Sequence, residues 1–148
     1  MILFNVLSIA LIFIILYSYY YLVELKNCPC FIQNKEENLN LEYMKFYSIL
    51  DLFTILVSLF FVQHVKKMGI EKTSNILVIF SVLLVICIHG YMTYNVYHFY
   101  NSVKSNCNCV NQWQKYYIYY EGIVATLVSF QYTISFLLIV IMLINTRS

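Results

Sequence analysis

Four long apolar runs separated by three polar stretches set the pattern of the chain. Residues 2–23 carry no charge, and a run of that length crosses a hydrocarbon core of roughly 30 Å as a helix. The next stretch, 24–42, collects Lys26, Lys35, Glu36, Glu37 and several Asn, with Pro29 breaking any helix that continues from the first run. A second apolar run, 43–65, is interrupted by Asp51. A short basic turn through Lys66, Lys67, Gly69 and Lys72 follows, with Thr73 or Ser74 placed to cap the next helix. The third run, 75–99, ends among Tyr91, Tyr94, Tyr97 and Tyr100. After the polar stretch 100–115, Trp113, Tyr116, Tyr117, Tyr119 and Tyr120 lead into the fourth run, 116–144. The pattern predicts an all-α, integral membrane four-helix bundle forming one domain over residues 1–148. Both termini and the basic turn fall on one side, the loops 24–42 and 100–115 on the other.

Composition supports a membrane class: 61% of residues are hydrophobic and only 11% charged, outside the usual range of soluble domains. The first run is a poor cleavable signal peptide, because no Lys or Arg precedes Lys26 and Tyr17, Tyr19, Tyr20 and Tyr21 stand where a peptidase needs small residues. These tyrosines, like those of the later runs, read as interfacial belts that anchor the spans. Small residues are scarce. There are 3 Gly, and Ala occurs only at Ala10 and Ala125, so no small-xxx-small helix-pairing motif is expected.

Net charge is +2 with the lysines scattered, which leaves no electrostatic footprint for a nucleic acid. Lys66, Lys67, Lys72 and Arg147 on the termini side balance Lys26, Lys35, Lys45, Lys104 and Lys115 on the loop side, so the positive-inside count does not orient the chain. The basic turn lies directly beside helix ends, and paired cysteines favour an oxidising compartment. Termini in the cytosol and loops in a lumen or exterior is the expected topology. No Asn-x-Ser/Thr sequon offers a check.

The most specified feature is Asn27-Cys28-Pro29-Cys30, which returns as Asn106-Cys107-Asn108-Cys109 in the equivalent loop. Aligning the two motifs without a gap also matches Tyr21 with Tyr100, Gln33 with Gln112, Glu42 with Glu121, and the apolar pairs Val6 with Val85, Ile9 with Ile88, Ile55 with Ile134 and Leu59 with Leu138. The reading is a tandem duplication of a helix, Cys-x-Cys loop, helix unit, with a pseudo-two-fold axis along the membrane normal. Cysteines separated by one residue are poorly placed to bond each other, so bonds between the loops are expected. The symmetric choices are Cys28 with Cys109 plus Cys30 with Cys107, or Cys28 with Cys107 plus Cys30 with Cys109. Each bond contributes about 2–4 kcal/mol by constraining the unfolded chain. A four-cysteine zinc site is the second alternative, against which stands a spacing shorter than the usual Cys-x2–4-Cys. A redox relay is the third. Cys87, alone in the third run, reads as a small buried apolar residue.

Four spans with a cysteine pair in each of two loops on one face resemble the layout of the DsbB and VKOR type of quinone-coupled thiol oxidoreductase. Those families carry Cys-x-x-Cys, whereas this chain has Cys28-Pro29-Cys30 and Cys107-Asn108-Cys109, and no motif places a quinone. A relay needs an accessible thiol of low pKa beside positive charge, for which Lys26 and Lys104 are the nearest candidates.

Asp51 is read as the carboxylate inside a span, with Tyr17, His89, Tyr91, Asn95 and Glu121 at about the same depth. Asp51, His89 and Glu121 are therefore the intramembrane polar candidates, for a proton or ion path or as interhelical glue. Gln63, His64 and His98 read as interfacial. No catalytic constellation, cofactor motif or metal motif appears. The expected function is a non-enzymatic scaffold, partnered by the lipid bilayer and by other protein subunits of a larger assembly. In composition and topology the chain also resembles small membrane proteins in virions of large DNA viruses, and that resemblance implies a minor structural protein linking an internal membrane to a capsid. The alternative is a membrane thiol-disulfide oxidoreductase using the two Cys-x-Cys pairs.

Overall fold

The computed structural model describes residues 2–61, 75–103 and 109–145, with side chains over 8–57, 79–103 and 109–141. The basic turn with Gln63, His64, Thr73 and Ser74, the segment holding Lys104, Asn106, Cys107 and Asn108, and Arg147 lie outside the described residues. All regular structure among the described residues is helical: α1 (Ile2–Leu25), α2 (Pro29–Asn34), α3 (Leu41–Phe61), α4 (Asn75–Ser102) and α5 (Gln114–Asn145). Three stretches, Ser8–Asn27, Ile79–Ser102 and Gln114–Ile141, are long and apolar enough to cross a membrane. The described part of α3, which carries Glu42, Lys45 and Asp51 in its 21 residues, is not among them.

The ends of the helices follow from local sequence. After α1 the backbone tightens, with Asn27 N–H donating to Glu24 O at 2.9 Å and Cys28 N–H to Leu25 O at 3.2 Å. Such three-residue closures satisfy carbonyls left over at a helix end. Pro29 does end the first helix's run, but it also begins α2, where its missing N–H costs nothing and its fixed φ suits the first helical position. The sequence reading of 24–42 as one loop is corrected accordingly. Asn40 caps α3: its Oδ1 accepts from Tyr43 N–H at 3.0 Å.

Sequential helices pack most closely, α1 on α3 and α4 on α5, while α1 with α5 and α3 with α4 close the gaps between the pairs. The α4–α5 approach is tight at Gly122, where an added Cβ would come within 2.5 Å of Val96 Cγ1. The core lies at the cysteine-loop end. Tyr21, Leu22, Leu25, Phe31, Met44, Met92, Phe99 and Ile118 are all fully buried, and Phe99 packs edge-on to Tyr21 and tilted against Phe31.

Candidate functional site

The loop-side cap is built from α2, the 35–40 segment and the ends of the long helices. Its strongest tie is covalent: Cys28 is bonded to Cys109 across 81 residues of sequence, with Cα atoms 6.2 Å apart, a separation ordinary for a disulfide. This is one of the two bonds of the first symmetric pairing. Cys30 is disulfide-bonded as well. Cys107 lies outside the described residues. With the sulfurs of Cys28 and Cys109 joined to each other, neither is a thiolate ligand for zinc in this state. Among the described residues no three His, Cys, Asp or Glu side chains gather as a metal site.

Polar contacts tie the cap to the helices below it. Tyr21 Oη donates to Val110 O at 2.9 Å, so α1 holds the segment just after Cys109. Glu36 N–H donates to Ser102 Oγ at 3.0 Å, and its carboxylate pairs with His98 Nδ1. His98 is therefore a structural partner and not merely interfacial. Asn40 N–H donates to Asn95 Oδ1 at 2.8 Å, while Asn95 Nδ2 donates to Tyr91 O at 2.8 Å. Glu42 bridges Lys26 and Lys45, the latter at 2.6 Å, and hydrogen bonding to Lys26 and then Lys45 holds its carboxyl down at about 2. Lys26 is thus engaged by a carboxylate and not by a cysteine, which removes it as a promoter of thiolate chemistry; Lys104 is outside the described residues.

Lower down, the expected polar layer divides. Tyr47 Oη and His89 Nδ1 share a hydrogen bond of 2.7 Å between α3 and α4, and Tyr43 Oη donates to Ile88 O at 2.7 Å beside them. Tyr17 is exposed and tilted against Trp113, outside the layer. Asp51 is half-buried, whereas Glu121 is buried, and among the described residues neither of its carboxylate oxygens has a hydrogen-bond partner. Glu121 lies within α5, so Asp51 is not alone as a carboxylate inside a long helix.

Two expectations are overturned here. Cys87 is exposed on α4 and is the free cysteine among the described residues. Small residues do form a helix-pairing face: Gly122, Thr126, Ser129 and Thr133 follow one another at spacings of three and four along α5, facing Gly90 and Thr93 of α4, where Thr93 and Thr126 hydroxyls meet at 3.2 Å. Counting only Gly and Ala hides this stripe; counting the short hydroxyl residues at the same spacing reveals it.

A cleft of about 600 Å³ opens at the edge of the cap, with Phe31, Lys35, Asn38, Leu39 and Tyr91 among its lining. Its charged residues are of both signs and it gathers no catalytic set. No protein-family model, curated protein or solved structure matches this chain.

Proposed function

We propose that this protein is a non-enzymatic scaffold of a membrane: a four-span bundle of two duplicated hairpins, whose loops form a disulfide-braced platform for other subunits of a larger assembly. A link between an internal membrane and a capsid, the setting its composition resembles, is one such assembly. The observation that carries the reading is the Cys28–Cys109 bond, which joins the loop of one hairpin to that of the other while Cys28 itself is buried in the core. On this reading Cys30 pairs with Cys107, the second bond of the same symmetric set. The termini are cytosolic and the braced loops face a lumen or the exterior, where an oxidised pair is stable.

A bond whose Cys28 half is buried and structurally committed suits a brace, whereas a relay needs thiols accessible to partners, a condition that the exposed Cys109 alone would meet. The test is assembly. Replacing Cys28 and Cys109 together by Ser is expected to leave the chain membrane-inserted while reducing its co-purification with the native assembly. Mixed disulfides with another protein, trapped by the single Cys28→Ser change, would instead establish the oxidoreductase alternative.

A further inference from the structure

The outward side of α5 carries a repeat. Val124, Leu127, Gln131, Ile134, Leu138 and Ile141 follow one another at alternating spacings of three and four, and every one of them is exposed. At 3.6 residues per turn they form a single stripe, on the side of the helix opposite Thr126, Ser129 and Thr133, which face α4. Alternation of three and four is the seam of a left-handed helix pair, in which each side chain enters a gap between four of the facing helix. Within one chain α5 packs on α4 and, less extensively, on α1, and neither covers the stripe.

Gln131 indicates what does. The stretch from Glu121, after the interfacial tyrosines, to Ile141 is the part of the candidate span that would meet hydrocarbon, and Gln131 is its midpoint, about 15 Å along the helix from either end. Its side chain is exposed, and among the described residues the amide has no partner; the bond at this position is made by its backbone carbonyl, which accepts from Ser135 Oγ at 3.0 Å. An amide facing lipid tails leaves donors and an acceptor unpaired, at a cost that a hydrogen bond across a helix pair removes. A second copy of the same amide supplies that bond. The NH₂ group is partially positive and the carbonyl oxygen partially negative, so two such groups facing each other across a two-fold axis satisfy one another reciprocally. The other five positions of the stripe are apolar, so this charge complementarity is met in one register, Gln131 against Gln131. A single polar residue in such a seam fixes register and copy number.

We propose that α5 is the contact between two copies of this chain, packed in parallel along the stripe from Val124 to Ile141, with the two Gln131 amides hydrogen-bonded to each other. The contact rests on α5 crossing the membrane and not on the cysteine brace, and it gives the scaffold a two-fold unit. It acts between copies and not on the fold of one, so unfolding of dilute protein in detergent does not sense it.

Energy transfer between full-length copies carrying a donor or an acceptor at the N-terminus, reconstituted together in phosphatidylcholine vesicles over a range of protein-to-lipid ratios, tests this. Transfer should exceed that of randomly placed copies, rise linearly with acceptor fraction as it does for a pair, and fall on dilution in lipid. Gln131→Leu should weaken the association on the order of tenfold, and Gln131→Asn should keep most of it. Combining Gln131→Leu with Tyr132→Gln turns the amide about 100° off the stripe and should not recover it. Both positions are exposed, so thermal unfolding of these variants should match that of the unaltered chain. Replacing Cys28 and Cys109 by Ser should leave transfer in place, which tells a failed brace from a failed seam. Transfer at the random level at every ratio, as when lipid or another protein covers the stripe, would overturn the proposal. So would a non-linear dependence on acceptor fraction, transfer that Gln131→Leu leaves unchanged, or recovery in the double variant.

Discussion

Along α5, Ile118, Glu121, Gly122 and Ala125 are buried, whereas from 126 to 141 no side chain is. The same division runs through the other long helices. Beyond the loop-side half, the buried residues are Ser8 and Ile15 on α1 and Val82 on α4, among those described. The loop-side half is held as a soluble domain is, by side chains removed from solvent, an aromatic cluster and a disulfide. The far half presents Leu127, Phe130, Leu137 and Ile141 outward, which hydrocarbon accommodates and water does not. On the proposed membrane reading, one chain works in two solvents. Between helices in lipid there is no hydrophobic gain from association, so close packing of small residues and hydrogen bonds must do what burial does in the cap.

Substitution should expose that contrast. Phe99→Ala removes a fully buried ring touching Tyr21, Phe31 and Tyr119, at an expected cost of about 3–5 kcal/mol. Leu127→Ala, at a side chain 63% exposed, should stay within about 0.5 kcal/mol. Unfolding titrations in a mild detergent measure both, and equal effects would erase the distinction between the halves. Reduction of the Cys28–Cys109 bond, which spans 81 residues of sequence, should cost on the order of 4 kcal/mol in the same assay.

The two glycines in the α4–α5 groove sharpen the comparison. Gly122→Val drives methyl groups into Val96 and should destabilise by roughly 1–3 kcal/mol. At Gly90 an added Cβ would meet nothing nearer than Ser129 Oγ at 3.8 Å, so Gly90→Ala should be neutral or stabilise by up to about 1 kcal/mol through helix propensity. Thermal unfolding of the two variants should therefore separate, with Gly122→Val falling and Gly90→Ala holding or rising.

The smallest effect belongs to the cap surface. Because Glu42 is held at about 2 by Lys26 and Lys45, its folded value lies below that of the unfolded chain. Its contribution is present above the ordinary carboxylate range and is lost as pH falls through about 2. Glu42→Gln should remove that acid sensitivity with little change at neutral pH, and salt should weaken the difference between the two proteins, since the pair is exposed.

How much of this is legible in the sequence depends on which physical constraint wrote the pattern. Bilayer thickness fixes the length of an apolar run, so composition alone places α1, α4 and α5 within a few residues. Cysteines one residue apart point to bonds between loops, but the spacing leaves two symmetric pairings, and only the fold brings Cys28 to Cys109. Pro29 reads as a breaker because proline ends helices; that it also starts α2 depends on the turn before it.

Helix faces are the least readable feature. In helices apolar all round, no amphipathic stripe says which side packs inward, so Cys87 reads as buried and lies exposed, while Glu121 is more buried than Asp51. The matched residues Glu42 and Glu121 show the same limit. One lies in the first turn of α3, exposed and bridged by two lysines; the other is a full two turns inside α5, because the second loop yields to helix earlier.

Thiol mapping of the protein in its own membrane tests the central claim most directly. Solubilisation under alkylating conditions, then intact-mass measurement and peptide mapping, should give a single adduct at Cys87, a Cys28–Cys109 cross-linked peptide and a second bond joining Cys30 to Cys107. Alkylation of Cys28 and Cys109 without prior reduction would contradict the braced cap and, with it, the scaffold.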